Sequence, residues 1–297
     1  MIYPSQNEIV KGDKAMRLLM LYLLVIVSFS PVSLLAEIAH PNSKTTLQLT
    51  DQEKNWLLHH PVIYVGMDSD YAPYEWLSKE GYYMGLAVDY LRLLEQRLGV
   101  RFEMVRGKTW SELLAMAKRG EIDILTSIVQ TPERQKFFLF SEPYRDTQTM
   151  ILDNGKGEFI GRLENLIGKK VAVEKGYFTQ ELLEEKYPKI NLVLTQNIAE
   201  ALLLVRDGKA DAYIGDMSAI NYAIKTQGLE QLRFSGQTEL SSQHRFAFPK
   251  VNKEFAKHYK IFIFVLFIQG LKAFVLGSKT AFTGNIDNQK QLPFKTL

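Results

Sequence analysis

The 297-residue chain is 46% hydrophobic and 23% charged, a balance that supports a folded core large enough for two domains. Its 36 basic and 33 acidic residues leave +3, with no basic run before the C-terminal end, which argues against a nucleic-acid partner. The absence of cysteine excludes zinc-thiolate sites and cysteine nucleophiles, and suits an exported chain with no thiol to oxidise.

Lys11, Lys14 and Arg17 precede the apolar stretch 18–27, and small or mildly apolar residues run on to Ala36. This layout predicts a secretory signal over residues 1–36, with an uncleaved membrane anchor as the competing reading; in either case the body of the chain is exported to the periplasm. Thr50 with Glu53 three residues later predicts a capped helix that ends before Pro61. His59 and His60 read as surface residues, because adjacent side chains diverge and no acidic or histidine cluster accompanies them.

VIYVGM at 62–67 has the pattern of a buried strand, and the loop DSDYAPYEW after it places Tyr71, Tyr74 and Trp76 within six residues of the strand's C-terminal end. Ligands sit at such ends in open α/β sheets, so these rings are candidates for a stacking wall, or for closing the core beneath the loop. Residues 85–98 read as an amphipathic helix with Leu86, Val88, Leu91, Leu94 and Leu98 on one face, and 101–105 as the next strand.

A repeat organises the rest. Thr109 and Glu112 open a helix that ends at Gly120 and is followed by Asp123 and a strand; Asn197, Glu200, Gly208 and Asp211 recur at one offset of 88 residues. Capping-box and C-terminal glycine chemistry explain why each residue type is needed. With strands at 62–67, 101–105, 169–176 and 191–194, each half reads β-α-β-α-β, and right-handed crossovers align the strands' C-terminal ends. The chain is therefore expected to form two α/β lobes, each a β-sheet flanked by helices, with a cleft between them. The first covers 49–148 and 241–260, the second 149–240, and crossings near 147–152 and 241–248 make a hinge.

In TPERQKFFLFSEPYRDTQTMIL at 131–152, Thr131 caps a helix that begins at Pro132, so backbone N–H groups and the Arg134 guanidinium converge on a spot that suits a carboxylate. With Thr126 and Ser127 beside it and Asp216 at the matching strand end of the second lobe, cation and anion face each other as a zwitterion requires. Asp216 equally reads as a helix cap. The run IFIFVLFI at 261–268 is too short to span a bilayer, its beginning can supply a core helix of the first lobe, and 261–297 otherwise reads as an irregular, in part disordered tail.

Together VGMDSDYAPYEW, TPER with FSEPY, GKKVAVEKGYF and DAYIGD resemble the bacterial extracellular solute-binding proteins of family 3, with a type II periplasmic-binding fold, over roughly 49–250. KGYF, NIAEALLLVRDGKADAYIGD and GLEQLRFSG look closest to the Venus-flytrap sensor domains of histidine kinases and diguanylate cyclases. The resemblance implies that Arg134 binds a ligand carboxylate, that Thr126 and Ser127 hydrogen-bond near it, and that Tyr71 lines its side. It also implies that Asp216 receives an ammonium and that the turn from Tyr177 to Thr179 contributes from the second lobe; Tyr74 and Trp110 complete the expected set. Two departures concern ligand identity: Val129 stands where amino-acid binders often carry a hydroxyl, and one extra residue lies between Gly176 and Thr179. The end of the chain also departs, and is expected to reflect a truncated or frame-shifted relative of a sensor, or a free binding protein with a degraded end.

The expected function is a non-enzymatic periplasmic module that closes on a small amino-acid-like or carboxylate ligand for uptake or signalling. It needs no cofactor, and its partner is a transporter permease or a membrane signalling protein. The rival is an enzyme on the same scaffold, a dehydratase of cyclic carboxylic acids, with Glu75, Glu142, His244 and Asp216 as candidate acids or bases. A protein that has lost its ligand and binds only a partner is the third reading.

Overall fold

The computed structural model describes residues 49–263; the expected signal segment and the tail beyond 263 lie outside the described residues. A nine-stranded mixed sheet runs through the molecule. On one side β1 (Val62–Gly66) pairs in parallel with β5 (Arg101–Met104) and β6 (Ile124–Val129). On the other, β9 (Lys170–Glu174) pairs in parallel with β10 (Asn191–Thr195) and β11 (Ala212–Asp216). Helices α2 (Leu86–Leu98) and α3 (Trp110–Lys118) accompany the first group; α5 (Phe178–Lys186), α6 (Ile198–Arg206) and α7 (Met217–Gln227) accompany the second. Two lobes built on one plan result.

The lobes are joined by β8 (Arg145–Asp153) and β12 (Arg233–Pro249), which pair antiparallel from Asp153 with Arg233 to Arg145 with His244. β8 continues onto β11 of the second lobe, and β12 onto β6 and the short β7 (Phe138–Phe140) of the first. The hinge is thus a two-stranded ribbon rather than two separate crossings. β12 also starts eight residues before the crossing expected near 241–248. Its pairing with β8 shifts register between Phe234 and Gly236. Gly236, at φ +155°, permits this, since a Cβ there would stand 2.4 Å from the Gly161 carbonyl oxygen.

The repeat seen in the sequence has a physical basis. Thr109 and Glu112 form the full reciprocal capping box on α3. Asn197 caps α6 through the Glu200 amide at 3.0 Å, while the Glu200 carboxylate reaches one residue further back, to the Gln196 amide at 2.7 Å. Gly120 and Gly208 follow in the left-handed region at φ +79° and +71°. Asp123 then accepts the Tyr64 amide at 2.9 Å, and Asp211 the Lys170 amide at 2.7 Å. Each aspartate stitches its helix-strand joint to the lobe's first strand.

The first-lobe core gathers α2 through Val88, Leu91 and Leu94 with Ile63, Val65 and Phe246. Leu86, expected on the same apolar face, is only partly buried, and Ala87 and Tyr90 are buried instead. Residues 253–263 are helical, and their Phe255, Ile261 and Phe262 close this core against Trp56 of α1 (Asp51–His59). Positions 261–263, the start of the apolar run and the part read as able to supply a core helix, therefore belong to the core rather than to an irregular tail, because aromatic rings on α1 and β12 leave an apolar face to be covered. Among the described residues no helix is long and apolar enough to cross a membrane.

Asp123 also accepts from Asn252 at 3.0 Å and is the more buried of the two joint aspartates. Asp123→Ala is accordingly expected to cost about 1 to 3 kcal/mol by stranding the Tyr64 amide, and Asp211→Ala measurably less. Denaturant unfolding of the two variants checks that order.

Candidate functional site

Where β1 ends, Asp68 begins a loop folded back by the small sheet of β2 (Asp70–Tyr71), β3 (Glu75–Leu77) and β4 (Tyr83–Met84). This fold-back buries Tyr71 and Tyr74 and places the Glu75 carboxyl under them, 1% exposed. Glu75 accepts from the Thr126 hydroxyl, from the Ser127 hydroxyl at 2.8 Å and from the Asp68 amide at 2.8 Å. Ser127 holds φ +49°, a strained conformation for a residue with a Cβ, and its oxygen also meets the Tyr144 hydroxyl at 2.7 Å. Thr126 and Ser127, expected beside a ligand carboxylate, are instead engaged by a carboxyl of the chain itself.

Arg134 is buried beyond β6, on the short α4 (Pro132–Gln135) capped by Thr131 as expected. Its guanidinium donates to the Val129 carbonyl at 2.9 Å, the Gly176 carbonyl at 2.8 Å and the Glu181 carboxylate at 2.9 Å. Glu181, on α5, also accepts from the Thr131 hydroxyl at 2.8 Å. The arginine expected to wait for an anion is therefore committed, in this conformation, to bonds across the lobe boundary. Burial demands this, since a guanidinium without water needs protein acceptors.

Further contacts seal the same boundary. The Tyr177 hydroxyl donates to Asp68, the Trp110 indole N–H to the Gly176 carbonyl at 3.0 Å, and the Tyr74 hydroxyl to Asp216 at 2.9 Å. Asp216 caps α7 through the amides of Ser218 and Ala219 at 2.8 and 3.0 Å and accepts from the Thr147 hydroxyl. His244, fully buried on the hinge ribbon, has Nε2 3.0 Å from Ser242 Oγ, 3.1 Å from Tyr71 Oη and 3.8 Å from the Asp216 carboxylate. Burial pushes its pKa down to about 4, so it is neutral at ordinary pH.

The lobes leave about 20 Å3 between them for a water's centre, room for a single water. Of the expected site residues, Tyr71, Trp110, Ser127, Arg134 and Tyr177 line this void. Tyr74 and Asp216 meet one another beside His244, Thr126 lies under Glu75, and Thr179 is buried at the start of α5 with a hydroxyl that has no hydrogen-bond partner. Val129, noted for lacking a hydroxyl, also lines the void. Glu142, a candidate for the enzymatic reading, is exposed, because the turn that carries it faces solvent. Sequence reasoning missed Asp68, Glu174 and Glu181, while Phe178 lies in the turn 177–179 expected to contribute. For Asp68 the signal was available, as an acidic residue just past a buried strand; for Glu181 it was not, because its partner comes from the other lobe.

Asp68, Glu75 and Glu174 are buried carboxyls held by hydroxyls and amides, Glu174 by the Tyr213 hydroxyl at 2.8 Å. Among the described residues none of the three has an ion-pair partner. Desolvation raises their pKa values to about 6, about 8 and about 7 respectively.

Two lobes joined by a strand ribbon, with buried polar groups meeting at their boundary, are the plan of a two-lobed binding fold. The model of the bacterial extracellular solute-binding proteins, family 3, matches residues 63–266, and the chain belongs to that family. It is 27% identical over 208 residues to the virulence sensor protein BvgS of Bordetella pertussis, covering 70% of this chain and only 16% of the sensor. It is 24% identical over 206 residues to a putative ABC transporter arginine-binding protein 2 of Escherichia coli, covering 63% of this chain and 84% of that protein. A crystal structure of a histidine kinase sensor domain with similarity to periplasmic binding proteins superposes with a TM-score of 0.68 at 28% identity, over 76% of this chain and 97% of that one. The fold is the two-lobed, type II periplasmic-binding architecture.

The buried groups set the response to pH. A carboxyl whose pKa is raised on folding takes up its proton more readily in the folded state, so its contribution to stability falls as pH climbs from the unfolded value through the folded one. His244, with a lowered pKa, contributes in the opposite sense between about 4 and 6.5. Above pH 6.5 only the decline from Glu174 and Glu75 remains. Asp68, Tyr83 and Tyr144 face Glu75 from the neighbouring elements. The unfolding midpoint is expected to fall between pH 6.5 and 8.5, and the fall to be shallower in Glu75→Gln. A midpoint flat across that range in wild type would contradict the assignment.

Proposed function

We propose that the chain is a periplasmic solute-binding or sensor-type module, exported by its N-terminal segment, whose lobes close over a small amino-acid-like ligand that carries a positive charge. The observation that supports this is the surplus of acidic groups at the lobe boundary. Asp68, Glu75, Glu174 and Asp216 are buried there, while the guanidinium of Arg134 is taken by Glu181 and the His244 imidazole is neutral. Burial raises the pKa values of Glu174 and Glu75 to about 7 and about 8, so both hold protons readily near neutral pH, and an organic cation beside them would favour release of those protons and pair with the carboxylates.

The ligand carboxylate has its own receptor. Two of the three acceptors on Arg134, Gly176 and Glu181, belong to the second lobe, so opening releases the guanidinium from both and leaves it the Val129 carbonyl. The first turn of α5 adds N–H donors, since Tyr177 provides no side-chain cap there. The Escherichia coli relative is named as arginine-binding, which agrees with a cationic amino acid. Uptake through a permease and signalling through a membrane sensor both have named relatives, and both partners are carried forward.

A thermal panel of the full chain with arginine, lysine, glutamate and neutral amino acids tests the reading. A basic amino acid is expected to raise the midpoint, by about 2.7 kcal/mol of stability at a hundredfold excess over Kd, and glutamate to leave it unmoved. Asp68→Asn should weaken that binding by roughly 2 to 5 kcal/mol, the penalty of an unpaired buried charge. No shift with any member, from a folded sample, would remove the proposal.

The enzymatic reading keeps one supporting observation, the Glu75 carboxyl with a pKa near 8 inside the cleft. Its oxygens are already taken by Thr126, Ser127 and the Asp68 amide, which suits a held carboxyl better than a proton donor to substrate. Loss of water from a cyclic hydroxy acid, followed by ultraviolet absorbance and abolished in Glu75→Gln, would reinstate the enzyme.

A further inference from the structure

Gly176, at φ +79°, turns the chain between β9 and α5 and sends Tyr177 out of its own lobe. The phenol arrives in a prepared seat. Its hydroxyl donates to Asp68, and its ring meets Tyr71 edge-on at 5.5 Å and Trp110 at 6.2 Å between centroids. The main chain beside it is gripped as well, the Gly176 carbonyl accepting from both Trp110 and Arg134. A buried acceptor, two aromatic partners and a guanidinium are what a cleft offers to a small ligand. Here they are offered to a side chain of the opposite lobe, and the space left beside that side chain has room for about one water.

Resting on the reading of this cleft as the binding site, we propose that Tyr177 is an internal ligand. Its phenol fills the cleft between Tyr71 and Trp110, holds the second lobe shut against Asp68, and has to swing out before a solute of comparable size enters. Tyr177, set between Gly176 and the first turn of α5, is then a specificity device. It imposes a conformational tax, because a solute binds only the fraction of molecules whose cleft is vacated.

Exogenous phenol tests this directly. Tyr177→Ser vacates the seat while supplying the hydroxyl cap that α5 lacks, which favours a folded variant. The full chain and the variant are titrated with p-cresol and followed by thermal shift and equilibrium dialysis. Saturable binding by the variant, absent in wild type and weakened by adding Asp68→Asn, is the expected result. A folded variant that ignores p-cresol, or a wild type that binds it equally well, overturns the proposal. A variant that folds only with p-cresol present also supports it. If Tyr177→Ser folds under neither condition, Tyr177→Phe reads the Asp68 bond alone: solution scattering is expected to show a larger radius of gyration than wild type, and an unchanged radius overturns the idea.

The amino-acid panel separates this inference from the one beneath it. An affinity about tenfold or more tighter in Tyr177→Ser than in wild type supports the internal ligand. Equal affinity in both sinks it and leaves solute binding standing. Uptake of p-cresol by the variant with no amino acid bound by either protein leaves the internal ligand standing and removes the solute reading.

Discussion

The buried guanidinium of Arg134 constrains this molecule more than any other group. It has five N–H donors, no access to water, and one lobe that provides only the Val129 carbonyl. The rest of its needs are met from the second lobe, by the Gly176 carbonyl and the Glu181 carboxylate. Since an unsatisfied buried donor costs about 1 to 3 kcal/mol, and more when it is charged, the position of α5 relative to β6 is coupled to that one side chain. Trp110, Thr131 and Tyr177 reinforce the same boundary with bonds that also cross it.

Opposite the guanidinium lies an excess of carboxyl groups that the fold buries without pairing. They are tolerated because hydroxyls and amides surround each one: Thr126, Ser127 and the Asp68 amide for Glu75, Tyr213 for Glu174, Tyr177 for Asp68. Hydrogen bonds of this kind favour the charged form, desolvation favours the neutral one, and desolvation is the larger influence at all three. The boundary is therefore sensitive to protons near neutral pH. The hinge ribbon reaches the same boundary, because Thr147 and His244 on its two strands both approach Asp216.

Much of the architecture was legible before any coordinates. The 88-residue repeat announced two lobes of one plan, and the capping residues Thr109 and Asn197, the glycines and the joint aspartates do in the structure what their chemistry suggests. β12 extends beyond the crossing read near 241–248, and only the close approach of the Gly161 backbone shows why a glycine continues the strand at position 236. In the site, Tyr71, Trp110, Ser127, Arg134 and Tyr177 do meet around one void, yet the partners of the polar ones differ from those expected. Glu75 takes the hydroxyls and Glu181 takes the arginine.

That difference has a physical reason. Local rules of capping, periodicity and turn chemistry act within about four residues, and they determined the elements, the repeat, the capped arginine on its short helix and the aspartate that caps α7. Which acceptor a buried donor finds depends on groups far apart in the chain: Glu75 and Thr126 are separated by 51 positions, Arg134 and Glu181 by 47, Asp68 and Tyr177 by 109. No periodicity carries such information. The sequence by itself determined what chemistry each lobe brings to the boundary; the tertiary structure alone decided that these groups satisfy one another across it, because donors shut away from water bond to whatever acceptor closure places beside them.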